Sequence, residues 1–118
     1  MDLILLVAPT TPLERMKKIS NITKGFTYLV SVTGVTGERS KMESRVEDLI
    51  KKIKEISINP LAVGFGISSP EHVKRVKSWG ADGVIIGSAF VKRISSSHKK
   101  NVVNQAGKFC KKMRIAAD

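Results

Sequence analysis

An α/β fold with a parallel sheet is predicted for this chain from three observations. Short apolar runs alternate along the sequence with longer amphipathic stretches of helical periodicity. The first apolar run, LILLVA at residues 3–8, is continuous rather than alternating, which is typical of a strand buried on both faces. Proline or glycine punctuates the boundaries between segments, and the sequence divides into four βα units.

Composition and charge narrow the class of protein. With 118 residues, 42% hydrophobic and 26% charged, the chain corresponds to a single folded domain. Its net charge is +11, and residues 89–118 hold 8 basic side chains and 1 acidic one. The single cysteine excludes an internal disulfide and a structural zinc site built on cysteines. The longest apolar stretch, residues 3–9, is too short to span a bilayer, and the N-terminus has no secretory or transit signal.

The first βα unit has a clear helix start. Thr11 is predicted to cap the helix, Pro12 suits its first position, and Glu14 completes a capping box. A second strand is predicted at residues 26–31. The loop that follows it, residues 32–41, is long for a βα connection.

The second helix is predicted at about residues 42–57, and Pro60 stops it before the third strand, residues 61–63. Its apolar residues share one helical stripe, which predicts the buried face: Val46, Leu49, Ile50, Ile53 and Ile56.

The third helix has Ser69 as its cap and Pro70 at its first position, and it ends at Gly80. The fourth strand is predicted at residues 83–86. Residues 1–94 therefore form the βα part of the chain, and residues 95–118 are predicted to contain a basic C-terminal amphipathic helix. Its lysines are interpreted as a solvated face rather than a nucleic-acid site, because aromatic platforms and known helix motifs are missing.

Glycines cluster in the loops after the second, third and fourth strands. Functional groups of βα architectures gather at the carboxyl ends of the strands, where Gly37, Gly66 and Gly87 fall. Glycine lets backbone N–H groups approach an anion, and a helix beginning near Ser88 adds its positive dipole end. One such glycine commonly serves only a tight turn. Three at one end of a sheet predict a phosphate site held by main-chain donors.

Four strings now carry a family resemblance: YLVS at 28–31, GVTG at 34–37, VGFGIS at 63–68 and GADGVIIGSA at 80–89. In their order and spacing they resemble the C-terminal half of the tryptophan synthase alpha chain, particularly its plant form, indole-3-glycerol phosphate lyase. The last string alone is common among phosphate-binding barrels, but GVTG together with GFGIS is specific. The resemblance covers roughly residues 3–94.

The resemblance implies strands five to eight of a (βα)8 TIM barrel. It implies a lyase of tryptophan biosynthesis that cleaves indole-3-glycerol phosphate by a retro-aldol reaction into indole and glyceraldehyde 3-phosphate. The matched positions assign roles to eight residues. The substrate phosphate is bound by Gly37, Gly66, Gly87 and Ser88, the substrate pocket is lined by Tyr28, Phe65 and Ile67, and a catalytic carboxylate from elsewhere in the barrel is steadied by Thr36. From their sequence context alone, Tyr28 and Phe65 are equally well explained as packing residues.

The acid–base groups of this reaction are not found in the sequence. Retro-aldol cleavage needs one proton delivered to the indole ring and one removed from a hydroxyl, tasks for carboxylates near the carboxyl ends of strands. Most acidic residues fall on predicted helices or at the termini, Asp82 precedes its strand, and only Glu38 lies near the correct end. The family's Glu and Asp pair belongs to the other half of the barrel. We therefore predict no catalytic residue in this chain and no appreciable turnover by the chain alone.

Two alternatives accompany this interpretation. A half-barrel exposes two strand edges and an apolar sheet face, which favours pairing with an N-terminal half-barrel or self-association. The chain is then a non-catalytic module that binds phosphate or pairs with another subunit. The least supported alternative is a nucleic-acid contact by the basic tail.

The resemblance also carries expectations about cofactors, partners and location. The chain needs no cofactor or metal of its own, and pyridoxal phosphate belongs to a beta-chain partner. The small-molecule partner is a phosphate ester. A plant homologue resides in the chloroplast and any other in the cytoplasm, although no targeting segment is recognised in the sequence.

Overall fold

The computed structural model describes residues 1–31, 39–64 and 66–118, with side chains described for the same residues except 39–43. Strands and helices alternate along these residues. Their bounds are β1 (Leu6–Val7), α1 (Leu13–Ile22), β2 (Thr27–Val30), α2 (Arg39–Ile56), β3 (Leu61–Gly64), α3 (Pro70–Ser78), β4 (Gly83–Ile85), α4 (Ser88–Ser95) and α5 (Val102–Ala117). A single 3-10 turn, Lys99–Asn101, precedes α5.

The strands form one parallel sheet in the order β1-β2-β3-β4. Each strand pairs with the next one along the chain, and a helix makes each crossover, as parallel connections require. The predicted α/β fold of four βα units is therefore confirmed. A series of neighbouring parallel strands joined by helices is also the arrangement found in a (βα)8 barrel.

One face of the sheet packs against the helices. Its inward side chains are fully buried, among them Val7, Leu29, Leu61 and Val63, each 0% exposed. The predicted stripe on α2 meets this face, with Val46, Leu49, Ile50 and Ile53 buried and Ile56 partly buried. The core of the chain thus lies between the sheet and its helical layer.

The opposite face of the sheet is covered by no helix of the described residues. Because side chains alternate along a strand, Leu6, Tyr28, Val30, Ala62 and Ile85 share this face. Leu6 is 55% exposed, and the other four are half-buried. The radius of gyration is 15.4 Å, against about 13.5 Å for a compact domain of this length. An open, one-sided sheet is what a half-barrel requires.

The predicted cap of α1 is wrong. Thr11 Oγ1 accepts a hydrogen bond from the Ala8 N–H at 3.0 Å, and the Thr11 N–H donates to the Ala8 carbonyl at 2.9 Å. The helix begins at Leu13 after Pro12, with no side-chain cap. A threonine hydroxyl bonds to nearby backbone in turns as readily as it caps helices, and here the turn after β1 holds it.

The predicted start of α3 is confirmed. Ser69 Oγ accepts a hydrogen bond from the His72 N–H at 3.4 Å, and Pro70 occupies the first turn. Gly80 follows the helix with φ +106°, a conformation that favours glycine. The second helix begins at Arg39, three residues earlier than predicted.

The last part of the chain forms two helices, and both were predicted: one begins at Ser88 and one lies in the basic tail. α4 begins at Ser88, directly after β4, and α5 packs against both α3 and α4. Met113 and Ala116 of α5 are buried in the main core. The predicted basic C-terminal helix is present as α5, and the predicted boundary after residue 94 falls inside α4. The division of the chain at that point stays a prediction.

Asp82 links α2 and β3 at the amino ends of the strands. Its Oδ2 accepts from the Leu61 N–H at 2.7 Å and from Lys54 Nζ at 2.8 Å. Partial burial raises the pKa of this carboxyl, but the Lys54 ammonium and the Leu61 N–H outweigh burial and lower the pKa below its usual value. Asp82 therefore lies at the end of the sheet opposite the glycine loops, as predicted.

Replacing Asp82 by asparagine is expected to lower the free energy of unfolding near neutral pH by about 1 kcal/mol, because the amide keeps a contact to the Leu61 N–H but loses the ionic one. Because folding lowers the pKa of Asp82, its ionised carboxylate stabilises the folded state at pH values above the unfolded pKa of about 4. This stabilisation is lost as the pH falls through the folded pKa. Asp82→Asn should thus approach wild type in acid. Urea titrations at several pH values test this, with the exposed Asp48→Asn as control; an equal deficit at every pH would contradict it.

Candidate functional site

The carboxyl ends of β2, β3 and β4 lie level with one another. Val30 pairs with Gly64, and Gly64 pairs with Ile85. Just beyond this level, Ser31 is tied to β3, because its N–H and its hydroxyl both donate to the Gly64 carbonyl at 3.0 and 3.2 Å. The chain leaving β2 is thereby held beside the loop that leaves β3.

Gly66 and Gly87 both lie on this rim, after adjacent strand ends. Each lies two residues beyond a member of the Gly64–Ile85 pair, and both are exposed. Gly66 has φ +72°, so a side chain there is strained. A Cβ added to Gly87 would meet no atom within 4 Å, so open space lies in front of it. Two of the three glycines predicted to bind phosphate thus follow adjacent strand ends on one rim, and their binding of phosphate stays a prediction.

The amino end of α4 lies on the same rim, directly after Gly87. Gly87 is the N-cap of α4, and its carbonyl accepts from the N–H groups of Phe90 at 2.9 Å and Val91 at 3.1 Å. The N–H groups of Ser88 and Ala89 precede the first intrahelical bonds, as at every helix start. Ser88 is exposed. Two free amides, a serine hydroxyl and the positive end of the helix dipole suit a phosphate.

Other predicted site residues lie outside the described residues: Thr36, Gly37 and Phe65, together with Glu38, the acid considered for catalysis. Their assigned roles stay predictions. Ile67, predicted to line the substrate pocket, is 6% exposed and belongs to the core cluster. A pocket role for Ile67 is likewise still a prediction.

Tyr28 lies directly over Gly64 on the open face of the sheet. A Cβ built on Gly64 would overlap the phenol ring, with Cζ 2.8 Å away and the hydroxyl oxygen closer still. Tyr28 is half-buried, so one side of its ring stays accessible. The glycine lets the ring lie flat against β3, next to the loop that carries Gly66. Sequence reasoning selected Tyr28 from the resemblance but did not find this contact.

A cleft of about 450 Å³ opens beside the amino end of α4. Its lining combines hydroxyls, two cations and apolar carbon: Ser68, Ser88, Ala89, Lys92, Arg93, Ser96 and Phe109. Sequence analysis selected only Ser88 among these. Lys92 lies one helical turn after Ser88, and this i, i+4 spacing is the sequence signal that points to it. Lys92 and Arg93 of the cleft therefore add positive charge beside the main-chain donors of the rim.

No described carboxylate faces this rim as a free base. Glu71 is nearest in sequence, at the start of α3, and a hydrogen bond from its own backbone N–H, followed by one from Ser69, lowers the pKa of Glu71 below its usual value. A carboxylate held in this way is a weak proton acceptor. His72 is exposed, and its Nδ1 accepts from the Ser68 N–H at 3.4 Å.

Two further searches cover only the described part of the chain. Within residues 1–31, 39–64 and 66–118, His, Cys, Asp and Glu form no group of three that could hold a metal ion. None of the helices described there combines the length and apolar composition that a bilayer crossing requires.

Comparison with known proteins gives a consistent result. The family described as "Tryptophan synthase alpha chain" matches residues 1–118, including the segment 95–118 that the resemblance did not cover. The tryptophan synthase alpha chain of Prochlorococcus marinus subsp. pastoris is 81% identical over 117 residues, which are 99% of this chain and 42% of that relative. The chain thus spans less than half the length of the curated relatives it matches. That relative is cyanobacterial, so the predicted plant chloroplast location receives no support.

Solved structures agree with the fold. The tryptophan synthase A-subunit of Pyrococcus furiosus superposes with a TM-score of 0.79 at 39% identity, covering 97% of this chain and 45% of that one. A structure of the tryptophan synthase a2b2 complex from the same organism gives a TM-score of 0.77 at 36% identity, covering 97% and 44%. The matched structures are more than twice as long as this chain, which is consistent with the predicted half-barrel.

Proposed function

The chain belongs to the tryptophan synthase alpha chain family, and on that premise we propose that it supplies the phosphate-binding half of a (βα)8 barrel. The complete barrel cleaves indole-3-glycerol phosphate into indole and glyceraldehyde 3-phosphate, a step of tryptophan biosynthesis. One observation carries the proposal: Gly66 and Gly87 follow adjacent, paired strand ends on one rim of the sheet, and α4 begins there at Ser88.

The phosphate is held mainly by neutral donors. Backbone N–H groups at Gly66, Gly87 and Ser88 and the Ser88 hydroxyl approach its oxygens, and the helix dipole of α4 favours its charge. Gly37 completes the set from the loop after β2. Lys92 and Arg93 in the adjoining cleft add positive potential without replacing the amides. Fixing the phosphate in this way orients the rest of the substrate along the sheet.

The indole part of the substrate lies on the open face of the sheet. Tyr28 presents one side of its ring there, above Gly64. Tyr28, Phe65 and Ile67 line this pocket, and apolar walls suit an indole ring. Water is excluded only when the open face is covered.

Proton transfer depends on groups outside this chain. Asp82 lies at the far end of the strands, and the Glu71 carboxylate is engaged at the start of α3. As the family resemblance implies, the carboxylates that remove the hydroxyl proton and protonate the indole ring come from a complementary half-barrel. Thr36 steadies one of them. The chain alone has no appreciable turnover.

The assembled barrel works with a beta chain, as the alpha subunit does in the tryptophan synthase a2b2 complex of Pyrococcus furiosus. Pyridoxal phosphate belongs to the beta chain, and the alpha-type half-barrel needs no cofactor of its own. Its small-molecule ligand is the phosphate ester.

A second candidate function is a non-catalytic module that pairs with another subunit. The observation that favours it is the open sheet face, on which Leu6 is 55% exposed and Tyr28 and Ile85 are only half-buried. An apolar face of this kind is commonly an interaction surface.

Indole release from indole-3-glycerol phosphate distinguishes the two functions. We expect no release by the purified chain and release when strands one to four of a related alpha chain are added, because the mixture joins phosphate donors to carboxylates. The N-terminal half alone is the control. Indole release by this chain alone would contradict the assignment of the carboxylates. A folded mixture that stays inactive would favour the non-catalytic module.

A further inference from the structure

The positive charge of the chain is concentrated on its last two helices. Residues 88–117 contain eight basic side chains and no acidic one, whereas the whole chain has 21 basic and 10 acidic residues. This segment covers α4 and α5, which pack against each other on the outer, helical side of the sheet. The surface is therefore cationic without the compensating acids found elsewhere on the chain.

A groove of about 240 Å³ runs along this surface. We call it the α4–α5 groove; cations and apolar side chains line it: Arg93, Lys108, Lys111, Lys112, Phe109 and Ile115. Lys108, Lys111 and Ile115 follow one another at spacings of three and four residues, so they share one face of α5. Met113 and Ala116 of α5 do not line the groove and are buried in the core.

Among the described residues, none of the groove cations forms an ion pair with an acidic side chain. Ion pairs of the described residues involve other cations, such as Lys51 with Glu47 and Lys54 with Asp82. On α5 itself, Arg114 pairs with Asp118 at 2.8 Å, outside the groove. A partner that brings carboxylates would meet charges that are still free to pair.

The floor of the groove is apolar, which favours an acidic peptide over a nucleic acid as the partner. Ile115 is 64% exposed, and Phe109 is half-buried with its ring tilted against Phe90 at a centroid distance of 6.0 Å. A nucleic acid would pair with the cations but leave Ile115 unmatched, and Phe109 is not free to stack on a base. A peptide can place an apolar side chain on the floor and carboxylates on the rim.

We propose that the α4–α5 groove docks an acidic polypeptide segment that inserts an apolar side chain between Phe109 and Ile115. Arg93, Lys108 and Lys112 pair with the flanking carboxylates. The groove adjoins the cleft at the phosphate site, since Arg93 and Phe109 line both, but the phosphate donors lie at the amino end of α4 and the groove lysines lie on α5.

Binding to synthetic probes tests the proposal. The probe is a peptide with glutamates around two leucines four residues apart, titrated at low and physiological salt. We expect the joint change Lys108→Gln, Lys111→Gln and Lys112→Gln to weaken binding at least about tenfold. The matched control removes three exposed lysines elsewhere, Lys18→Gln, Lys24→Gln and Lys74→Gln, and should weaken it much less.

A second comparison tests the apolar anchor. Replacing both leucines of the peptide by serine, or Ile115 by serine in the chain, should weaken binding several-fold, because the apolar contact is lost. Equal binding of the serine peptide, or tighter binding of a single-stranded oligonucleotide of the same charge, would overturn the proposal in favour of a general polyanion surface. An absence of peptide binding at low salt, or equal losses in groove and control variants, would also overturn it.

Discussion

Changing Gly64 to alanine is expected to destabilise the chain by about 1–3 kcal/mol, the usual cost of inserting a methyl group into a packed site. The new Cβ would overlap the ring of Tyr28, whose Cζ lies 2.8 Å from its position, so the ring has to leave the sheet. Tyr28 is the only tyrosine of the chain, and its near-ultraviolet signal reports the displacement. Urea unfolding measures the loss of stability.

Two further variants show whether the contact causes the effect. In a Tyr28→Ala background, Gly64→Ala should cost much less, because the overlapping ring is gone. Gly107→Ala on α5 adds a methyl group where no atom lies within 4 Å, and it should be neutral or stabilising, as alanine is favoured in a helix. Equal costs of Gly64→Ala with and without Tyr28 would show that the ring is not responsible.

Changing Ser88 to aspartate is expected to weaken phosphate binding about 100-fold while leaving the fold stable. An added carboxylate at the first turn of α4 is favourable for the helix, because it complements the helix dipole. Repulsion between this carboxylate and a phosphate about 4 Å away costs about 4 kcal/mol before salt screening. About 2–3 kcal/mol of that repulsion remains in solution. Affinity and stability should therefore change in opposite directions.

Controls for Ser88→Asp lie in the same cleft. Ser96→Asp adds an equal charge at the carboxyl end of α4, and it should weaken phosphate binding far less. Ser88→Ala removes only the hydroxyl and should cost less than about tenfold, since the amides remain. Titration with inorganic phosphate measures all three. Similar losses for the two aspartates would mean that the cleft as a whole, rather than the amino end of α4, attracts the anion.

Local signals in the sequence predicted the fold where one interaction dominated. Ser69 and Pro70 start α3 as expected, because the serine has one nearby N–H to accept from. The Thr11 hydroxyl could accept a hydrogen bond either from the helix start or from the turn after β1. It accepts from the Ala8 N–H in the turn, so the predicted cap does not form. The apolar stripe of α2 was predicted correctly because its period depends only on the helix itself.

The candidate site was predictable to the extent that topology determines it. Parallel strands place the residues after β3 and β4 on one rim, so Gly66, Gly87 and Ser88 could be grouped from the sequence. The contact of Tyr28 with Gly64 joins two strands at a specific register, and no local pattern indicates it. The position of Arg93 in the cleft likewise depends on how α4 packs against α5.

The most direct test of a phosphate site built from main-chain donors is an amide NMR titration of the chain with inorganic phosphate. We expect the largest shifts at the N–H groups of Gly66, Gly87, Ser88 and Ala89, saturating together with one dissociation constant. The lysine-rich segment 99–112 should change little. Shifts confined to that segment, or shifts that increase without saturation and vanish at physiological salt, would contradict the assignment of the phosphate site to the rim.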